Sequence, residues 1–416
     1  MSRRLHIAYV CGDRGVRVGG RSGSSVHVRE LTEALRGQGV DVSTLAARTD
    51  FEIGDADRQV VDLGRQRAMR QTRKALLNRA TRAGQRASAL ETYSLMINQP
   101  LGRALDRLHR KRRVDAIYER YSLWSFAAAH FARAARIPYL LEANAPLRAE
   151  QKRYRSLENA AAAETIEAYL FGAAAYTIVP SAELRPYVLQ RGGRPGRVRV
   201  IPNAADPQRF APRKAWRGAG DPFVIGFLGS LKPWHGLDYL LRGFRHLRRR
   251  FDGYQLLLVG DGPMRGEIEA RLRQAGLLAN VRFESGSRQR VPELVAEMDV
   301  GVAPYPKMSP FYFSPLKVFE YLAGGVPVVA SDIGQIGEVL HHRRTALLHP
   351  PGRIMEMVEL IDRLRKSPPE AQRIGRAGRR VLCRRFTWKR NAERVLRMVA
   401  SERGVDRRRT PPAGRR

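Results

Sequence analysis

Short apolar runs separated by helix-length amphipathic stretches recur from one end of the chain to the other, the pattern of parallel α/β sheets covered by helices. In the first half the strand-like runs are LHIAYV, VDVSTLA, VDAIYER, PYLLEA, AYTIVP and VRVIPN. Helices are expected over 24–36, 122–136, around 157–171 and from Ala182. The stretch 206–221, broken by Pro and Gly, reads as a linker. A second series follows: PFVIGFLG, YQLLLVG, VRFES, VGVAP, PVVAS and TALLHP. One amphipathic helix is expected over 386–400, and RGVDRRRTPPAGRR after it, with charge but no core residues, reads as a disordered basic tail. The expected division is therefore a first Rossmann-like domain, 1–205, with a basic insertion at 65–113. A second occupies 206–385, followed by the helix 386–400 and the tail 401–416.

Length and composition agree with this. At 416 residues with 43% apolar content the chain is too long for one ordinary core and too apolar for wholesale disorder. Two cysteines, Cys11 and Cys383, form no metal-ligand spacing, so a reducing cytoplasmic setting is the default. No apolar run approaches the roughly 18 to 20 residues of a membrane span, and Met1-Ser2-Arg3-Arg4 leads straight into a strand without a signal-peptide core.

The net charge of +35 is the unusual feature, and it is uneven. Residues 65–113 hold 14 basic side chains against Glu91 and Asp106, and 401–416 hold six against Glu402 and Asp406. Met69, Leu76 and Leu77 among the arginines of the insertion suggest a weakly amphipathic helix suited to an anionic bilayer surface. A merely solvated helix in an Arg-rich protein explains the same residues equally well. Nucleic acid is not expected, since no recognised module is present.

In open parallel sheets ligands bind beyond the carboxyl ends of the strands, which directs attention to three loops of the second series. GSLKPWHG follows FVIGFL: Gly229 lets the backbone approach a ligand, while Lys232 and His235 offer cationic or hydrogen-bonding groups to an anion. Gly260-Asp261-Gly262-Pro263 makes a tight turn into a helix after YQLLLV. The richest stretch is FYFSPLKVFEYLAGGVPVVAS, 311–331. Ser314 reads as an N-cap and Pro315 as the first helical residue, leaving unpaired amides at Leu316 and Lys317. That helix end, with the Lys317 ammonium, suits a diphosphate. Glu320, three residues on, can accept hydrogen bonds from a ribose diol. In the first domain a loop with Gly19 and Gly20 precedes a helix in which His27 reads as a packed residue. Glu119, Arg120, Glu142 and Asn144 end two adjacent strands and are expected to point into a cleft.

The GG loop with HVRELTEALRGQGVDV, IPNAADPQRFAP, the GSLKPWHG and GDGP turns, and SPLKVFEYLAGGVPVVAS together resemble a glycosyltransferase of family 4. The resemblance covers nearly the whole chain and implies the α/β GT-B architecture: two Rossmann-like domains facing a central cleft, with a C-terminal crossover helix. It implies a retaining, metal-independent hexosyltransferase with no cofactor, taking its sugar from a nucleoside-diphosphate sugar held by the second domain. The acceptor would be a glycan or lipid-linked molecule of the membrane or cell envelope, as in polysaccharide biosynthesis. The enzyme would be cytoplasmic and peripheral on the inner face of the membrane.

Carried over by position, Glu320 matches the second glutamate of the family's E-x7-E motif, and Phe313 to Lys317 would line the diphosphate and sugar. The first glutamate falls on Tyr312. Ser230 and His235 stand where Arg and Lys are usual, leaving phosphate neutralisation to Lys232 and Lys317. Arg120 and Asn144 correspond roughly to histidines of the family. The Asp55-Ala56-Asp57 triplet follows no apolar strand and reads as a loop. Rival readings are another GT-B sugar-nucleotide enzyme, such as an epimerase, or an inactive basic homologue that binds membrane or nucleic acid. A nicotinamide-dependent enzyme would need G-x-G-x-x-G after the first strand, which Gly12-Asp13-Arg14-Gly15 does not supply.

Overall fold

The computed structural model describes residues 3–50, 60–212 and 221–409, and these fall into two units, 1–201 with 391–416, and 202–390. Asp55 and Asp57 lie outside the described residues, as does the end of the expected tail, 410–416.

In the first unit the strands are β1 (His6–Cys11), β2 (Asp41–Ala46), β3 (Val60–Asp62), β4 (Ala116–Arg120), β5 (Tyr139–Glu142), β6 (Tyr176–Val179) and β7 (Val198–Val200). They form one sheet in the order β3-β2-β1-β4-β5-β6-β7, every neighbouring pair parallel. All six residues of β1 are buried, as a central strand between two helical layers requires, which is why HIAYVC reads as a continuous apolar run. The short edge strand β3 was not expected. Three residues are too few to show a period.

The second unit repeats the design with β8 (Phe223–Leu228), β9 (Tyr254–Val259), β10 (Val281–Glu284), β11 (Val300–Ala303), β12 (Val328–Ser331) and β13 (Leu347–His349). Their order is β10-β9-β8-β11-β12-β13. In each sheet the order reverses beside the first strand of the series, at β1/β4 and β8/β11. Loops on either side of such a switch point diverge, leaving a crevice at the strands' carboxyl ends.

Several boundaries differ from the sequence expectation. The helix expected over 122–136 is confined to Ala127–Ala134, because Asn98 accepts from the amides of Phe126 and Ala127 (2.7 and 2.9 Å) and fixes the preceding turn. The basic insertion folds as α2 (Arg67–Arg79), α3 (Ala83–Met96) and a helix Asn98–Lys111. The last helix, Trp388–Arg409, continues past Ala400 into the stretch expected to be a tail. The helix is anchored within the first unit: Ala392, Val395, Met398 and Val399 are buried, and past Ala400 the Ser401 and Tyr176 hydroxyls are bonded at 3.2 Å, Glu402 pairs with Arg197 and Arg403 with Asp115 at 3.3 Å. Cys11 is buried, Cys383 exposed, and both are free. Among the described residues no helix is long and apolar enough to cross a membrane.

Candidate functional site

The loops after β8 and β9 and the helix Leu316–Gly324 meet at the carboxyl ends of the second sheet's central strands. Lys317 is at their centre. Its side chain is 5% exposed, with Nζ 3.9 Å from the centroid of the Phe227 ring and 5.3 Å from that of Tyr305. Nζ has no hydrogen-bond partner among the described residues. Burial pushes its pKa down to about 7, against the opposing pull of Glu320. Two ring faces are a weak substitute for water around an ammonium, and the half-buried Glu320 carboxylate offsets only part of that loss.

Gly229 lies directly over this ammonium. With φ +137° and space so limited that a Cβ would come 3.2 Å from Lys317 Cε and Nζ, the position admits only glycine. Gly260 (φ +133°) is locked against it: a Cβ there would be 2.2 Å from the Gly229 carbonyl oxygen. The two turns thus bring bare backbone to one place, and each Gly amide is spent on the neighbouring strand, Gly229 N to Val259 O and Gly260 N to Glu284 O.

His235 is brought to the same place but not as a cation. Its Nδ1 is 2.6 Å from the Ser230 carbonyl oxygen, which fixes the hydrogen on Nδ1 and leaves Nε2 with a lone pair. Burial, then the charge of Lys317, lowers its pKa to about 3. It is therefore neutral, and the cationic role allowed for it from sequence falls away. Lys232 is half-buried, with Nζ 4.9 Å from the centroid of the exposed Trp234 ring. Asp261 is spent on its own turn: its carbonyl accepts from Leu231 N at 3.0 Å and its Oδ1 from Gly262 N at 2.8 Å.

At the helix start one expectation is corrected. Pro315 occupies the cap (φ −69°, ψ 112°), the helix begins at Leu316, and no side chain caps it. Ser314 is engaged elsewhere: its Oγ accepts from Asn203 N at 2.8 Å, while Asn203 Nδ2 donates to the Ser314 carbonyl at 2.5 Å. The first amides of the helix have no acceptor within it, so the positive end faces the loop unscreened by a cap. Tyr312 is buried and packs on Phe313, ring centroids 4.5 Å apart. Glu320 is half-buried, one turn along from Lys317.

Among the residues not foreseen, Tyr321 has the clearest part. β11 pairs with β8 only at Val300↔Ile225 and Gly301↔Gly226. Beyond that the buried Tyr321 hydroxyl stands between the strands, accepting from Leu228 N at 2.7 Å and lying 3.3 Å from Val302 O. The helix carrying Lys317 and Glu320 is thereby fixed to the strand that leads into Gly229. Asn203 was visible within IPNAADPQRFAP but not its partner. Nothing in the sequence singles out Phe227 or Tyr305.

The first unit divides the four residues that were expected together. Side chains alternate along a strand, and the register pairs Arg120 with Glu142 and Glu119 with Leu141. Arg120 and Glu142 therefore share one face, 3.8 Å apart. Glu119 points the other way, fully buried, accepting from Ser125 Oγ and Tyr139 OH, both at 2.6 Å. Burial pushes its pKa up to about 7. It belongs to the core and not to a cleft. Glu142 instead pairs with His27 of α1 (Gly23–Gly37) at 2.5 Å, both nearly buried. His27 is thus packed, as its place in the helix suggests, but against a carboxylate. Asn144 is half-buried on the loop after β5. Gly19 (φ +89°) and Gly20 precede α1, which Ser22 caps by accepting from Ser25 N at 3.2 Å.

Comparison with known proteins matches both halves. Residues 22–204 match the glycosyl transferase 4-like domain and residues 222–367 the glycosyl transferases group 1. EpsF of Bacillus subtilis, named as a glycosyltransferase, is 38% identical over 144 residues, 33% of this chain and 36% of that protein. The chain spans about a third to a half of the length of the first curated relatives it matches. Two solved structures share the fold. Sucrose-phosphate synthase from Thermosynechococcus elongatus has a TM-score of 0.71 at 20% identity, covering 97% of this chain and all of the other. HepE of Anabaena, solved in complex with UDP, has a TM-score of 0.67 at 18% identity, covering 95% of this chain and all of the other.

Proposed function

Because the chain belongs to the glycosyltransferases of group 1, family 4, with the GT-B type of fold, we propose that it is a retaining hexosyltransferase. Its donor is a nucleoside-diphosphate sugar bound by the second unit, and its acceptor a glycan or lipid-linked molecule of the cell envelope, met at the inner face of the membrane. The observation that carries the donor reading is Lys317: a buried amine with no hydrogen-bond partner among the described residues, beside the uncapped start of a helix and beneath the bare backbone of Gly229. A diphosphate supplies that partner.

In this reading Lys317, Lys232 and the first amides of the helix stabilise the charge that grows on the leaving diphosphate, and fixed donors aimed at developing charge are the strongest means such a site has of lowering the barrier. Glu320 accepts from the ribose hydroxyls. Phe313, Ser314 and Tyr312 shape the sugar pocket, with neutral His235 offering its Nε2 lone pair to a donor hydroxyl. The bond from the anomeric carbon to the phosphate oxygen breaks, and the acceptor oxygen bonds to that carbon on the same face. The acceptor proton passes to the departing phosphate, so no separate base is required. Arg120, Glu142 and Asn144 are assigned to the acceptor.

A thermal-shift screen of UDP-, GDP- and ADP-sugars tests the donor assignment, since a ligand that binds only the folded state raises apparent stability. One donor is expected to stabilise the protein, and Glu320→Ala to lose most of that shift together with transfer. Absence of stabilisation by every sugar nucleotide, or unchanged transfer by Glu320→Ala, overturns the reading.

A further inference from the structure

The first unit contains one long stretch rich in cations and free of acids. From Leu63 to Leu90 the chain contains no Asp or Glu, and the eight cations between Arg65 and Arg86 are all exposed. Among the described residues only Arg65 of these reaches a carboxylate, Asp62 at 3.5 Å. On α2, Arg67, Arg70 and Lys74 recur at i, i+3 and i+7 and share one face. Met69, Thr72 and Leu76 recur in the same way on the opposite face and are buried or half-buried, where α2 packs on α3. Met69, Leu76 and Leu77, which suggested a helix lying on a bilayer by its apolar face, are thus buried or half-buried in the fold, and the exposed face is polar and cationic.

A second element adds to it. The helix Leu147–Tyr154 ends in Lys152-Arg153-Tyr154 with Arg155 at its cap, all exposed, with Tyr154 67% exposed and the Arg153 guanidinium 5.3 Å from the centroid of its ring. The segment that follows is tied to α3, where the Glu91 carboxylate accepts from the amides of Glu158 and Asn159, both at 3.0 Å.

We propose that the α2–α3 hairpin and the end of helix Leu147–Tyr154 form a docking surface for the anionic phospholipid headgroups of a bilayer. The contact is electrostatic, with Tyr154 at headgroup level and no helix inserted. It rests on the membrane-associated acceptor of the proposed function and gives that association a location. A tyrosine among cations suits the water–lipid boundary. Single-stranded nucleic acid calls for a row of stacking aromatics, and the sequence from Leu63 to Leu90 contains none.

The test is co-sedimentation of the full chain with vesicles of phosphatidylcholine alone or mixed with phosphatidylglycerol, at low and high salt. Binding is expected only to the mixed vesicles, weakening with salt. The combined variant Arg67→Gln, Arg70→Gln, Arg73→Gln and Lys74→Gln is expected to lose roughly five-fold in partitioning per cation removed, with an unchanged melting temperature, and Tyr154→Ala to lose less. Equal recovery on neutral vesicles, full retention by the combined variant, or displacement from mixed vesicles by duplex DNA at lower phosphate concentration overturns the proposal. Stabilisation by sugar nucleotides, read on the same preparations, separates the two readings. A wild type that ignores vesicles but binds a sugar nucleotide sinks the surface alone, and one that binds vesicles but no sugar nucleotide sinks the transfer reading.

Discussion

At the scale of single residues the decisive feature is a lysine held against its own solvation. Lys317 has a folded pKa of about 7 against an ordinary value of 10.5. For a base depressed in this way, the burial penalty is complete below about pH 7, where the ammonium is charged folded and unfolded. The penalty shrinks as pH rises from about 7 toward 10.5, because the folded lysine gives up its proton first. Two outcomes follow. Lys317→Met, close in volume and uncharged, should melt at the same or a higher temperature at pH 7 while losing about 2 kcal/mol or more of nucleoside-diphosphate affinity, the scale of a charged hydrogen bond. Calorimetric titration reads the affinity and a thermal melt the stability. Diphosphate binding should also recharge Lys317. Above pH 7 binding then takes up a proton and affinity falls by up to roughly tenfold per pH unit, checked by titration in buffers of different ionisation enthalpy. His235, neutral throughout this range by virtue of its pKa near 3, contributes no slope.

Among elements, the helix Leu316–Gly324 matters because it is fixed near its start and along its length by polar groups that packing patterns do not reveal. Near its start Asn203 holds Ser314 by two hydrogen bonds. Along its length the Tyr321 hydroxyl fills the gap where β8 and β11 part. Tyr321→Phe leaves the buried Leu228 amide without its acceptor and should cost about 1–3 kcal/mol of stability. If the hydroxyl also sets the place of Lys317, turnover should fall beyond that of a core variant of matched stability such as Ile361→Val, whose residue is buried in a separate apolar cluster. Matched turnover at matched stability would reduce Tyr321 to a structural part. Asn203→Ala should raise the donor KM with little change in melting temperature.

The repeated Rossmann pattern was legible at this scale because each buried parallel strand is a continuous apolar run between glycine-rich turns. The faces of individual polar residues were less so. Glu119 and Arg120 are neighbours in sequence, yet strand alternation sends one into the core and the other toward Glu142, and the register that decides which is which is a property of the sheet. The three-residue β3 and the shortened helix Ala127–Ala134 were missed for a related reason, since both are set by partners distant in sequence.

For the whole molecule, the last helix returns the chain to its first unit. Its buried face, with the Glu402–Arg197 and Arg403–Asp115 pairs, joins the C-terminal segment to residues just over 200 and nearly 300 positions earlier. Truncation after Arg390 should therefore lower the calorimetric transition of the first unit and leave that of the second largely in place. A single transition shifted as a whole would show that the units unfold together.

The net charge of +35, the order of glycine-rich turns after apolar strands, and the SPLKVFEYLAGG stretch were all contained in the sequence, because composition and short-range periodicity are local quantities. They determined two parallel-sheet units of the family-4 glycosyltransferase kind and singled out Lys317. Only the tertiary structure decided that Lys317 is caged by Phe227 and Tyr305, that His235 is neutral, and that Ser314 is bound to Asn203. It likewise turned Met69 inward and left Arg67, Arg70 and Lys74 outside. Burial, tautomer and the face a side chain presents depend on what distant segments pack against it, and no local pattern carries that information.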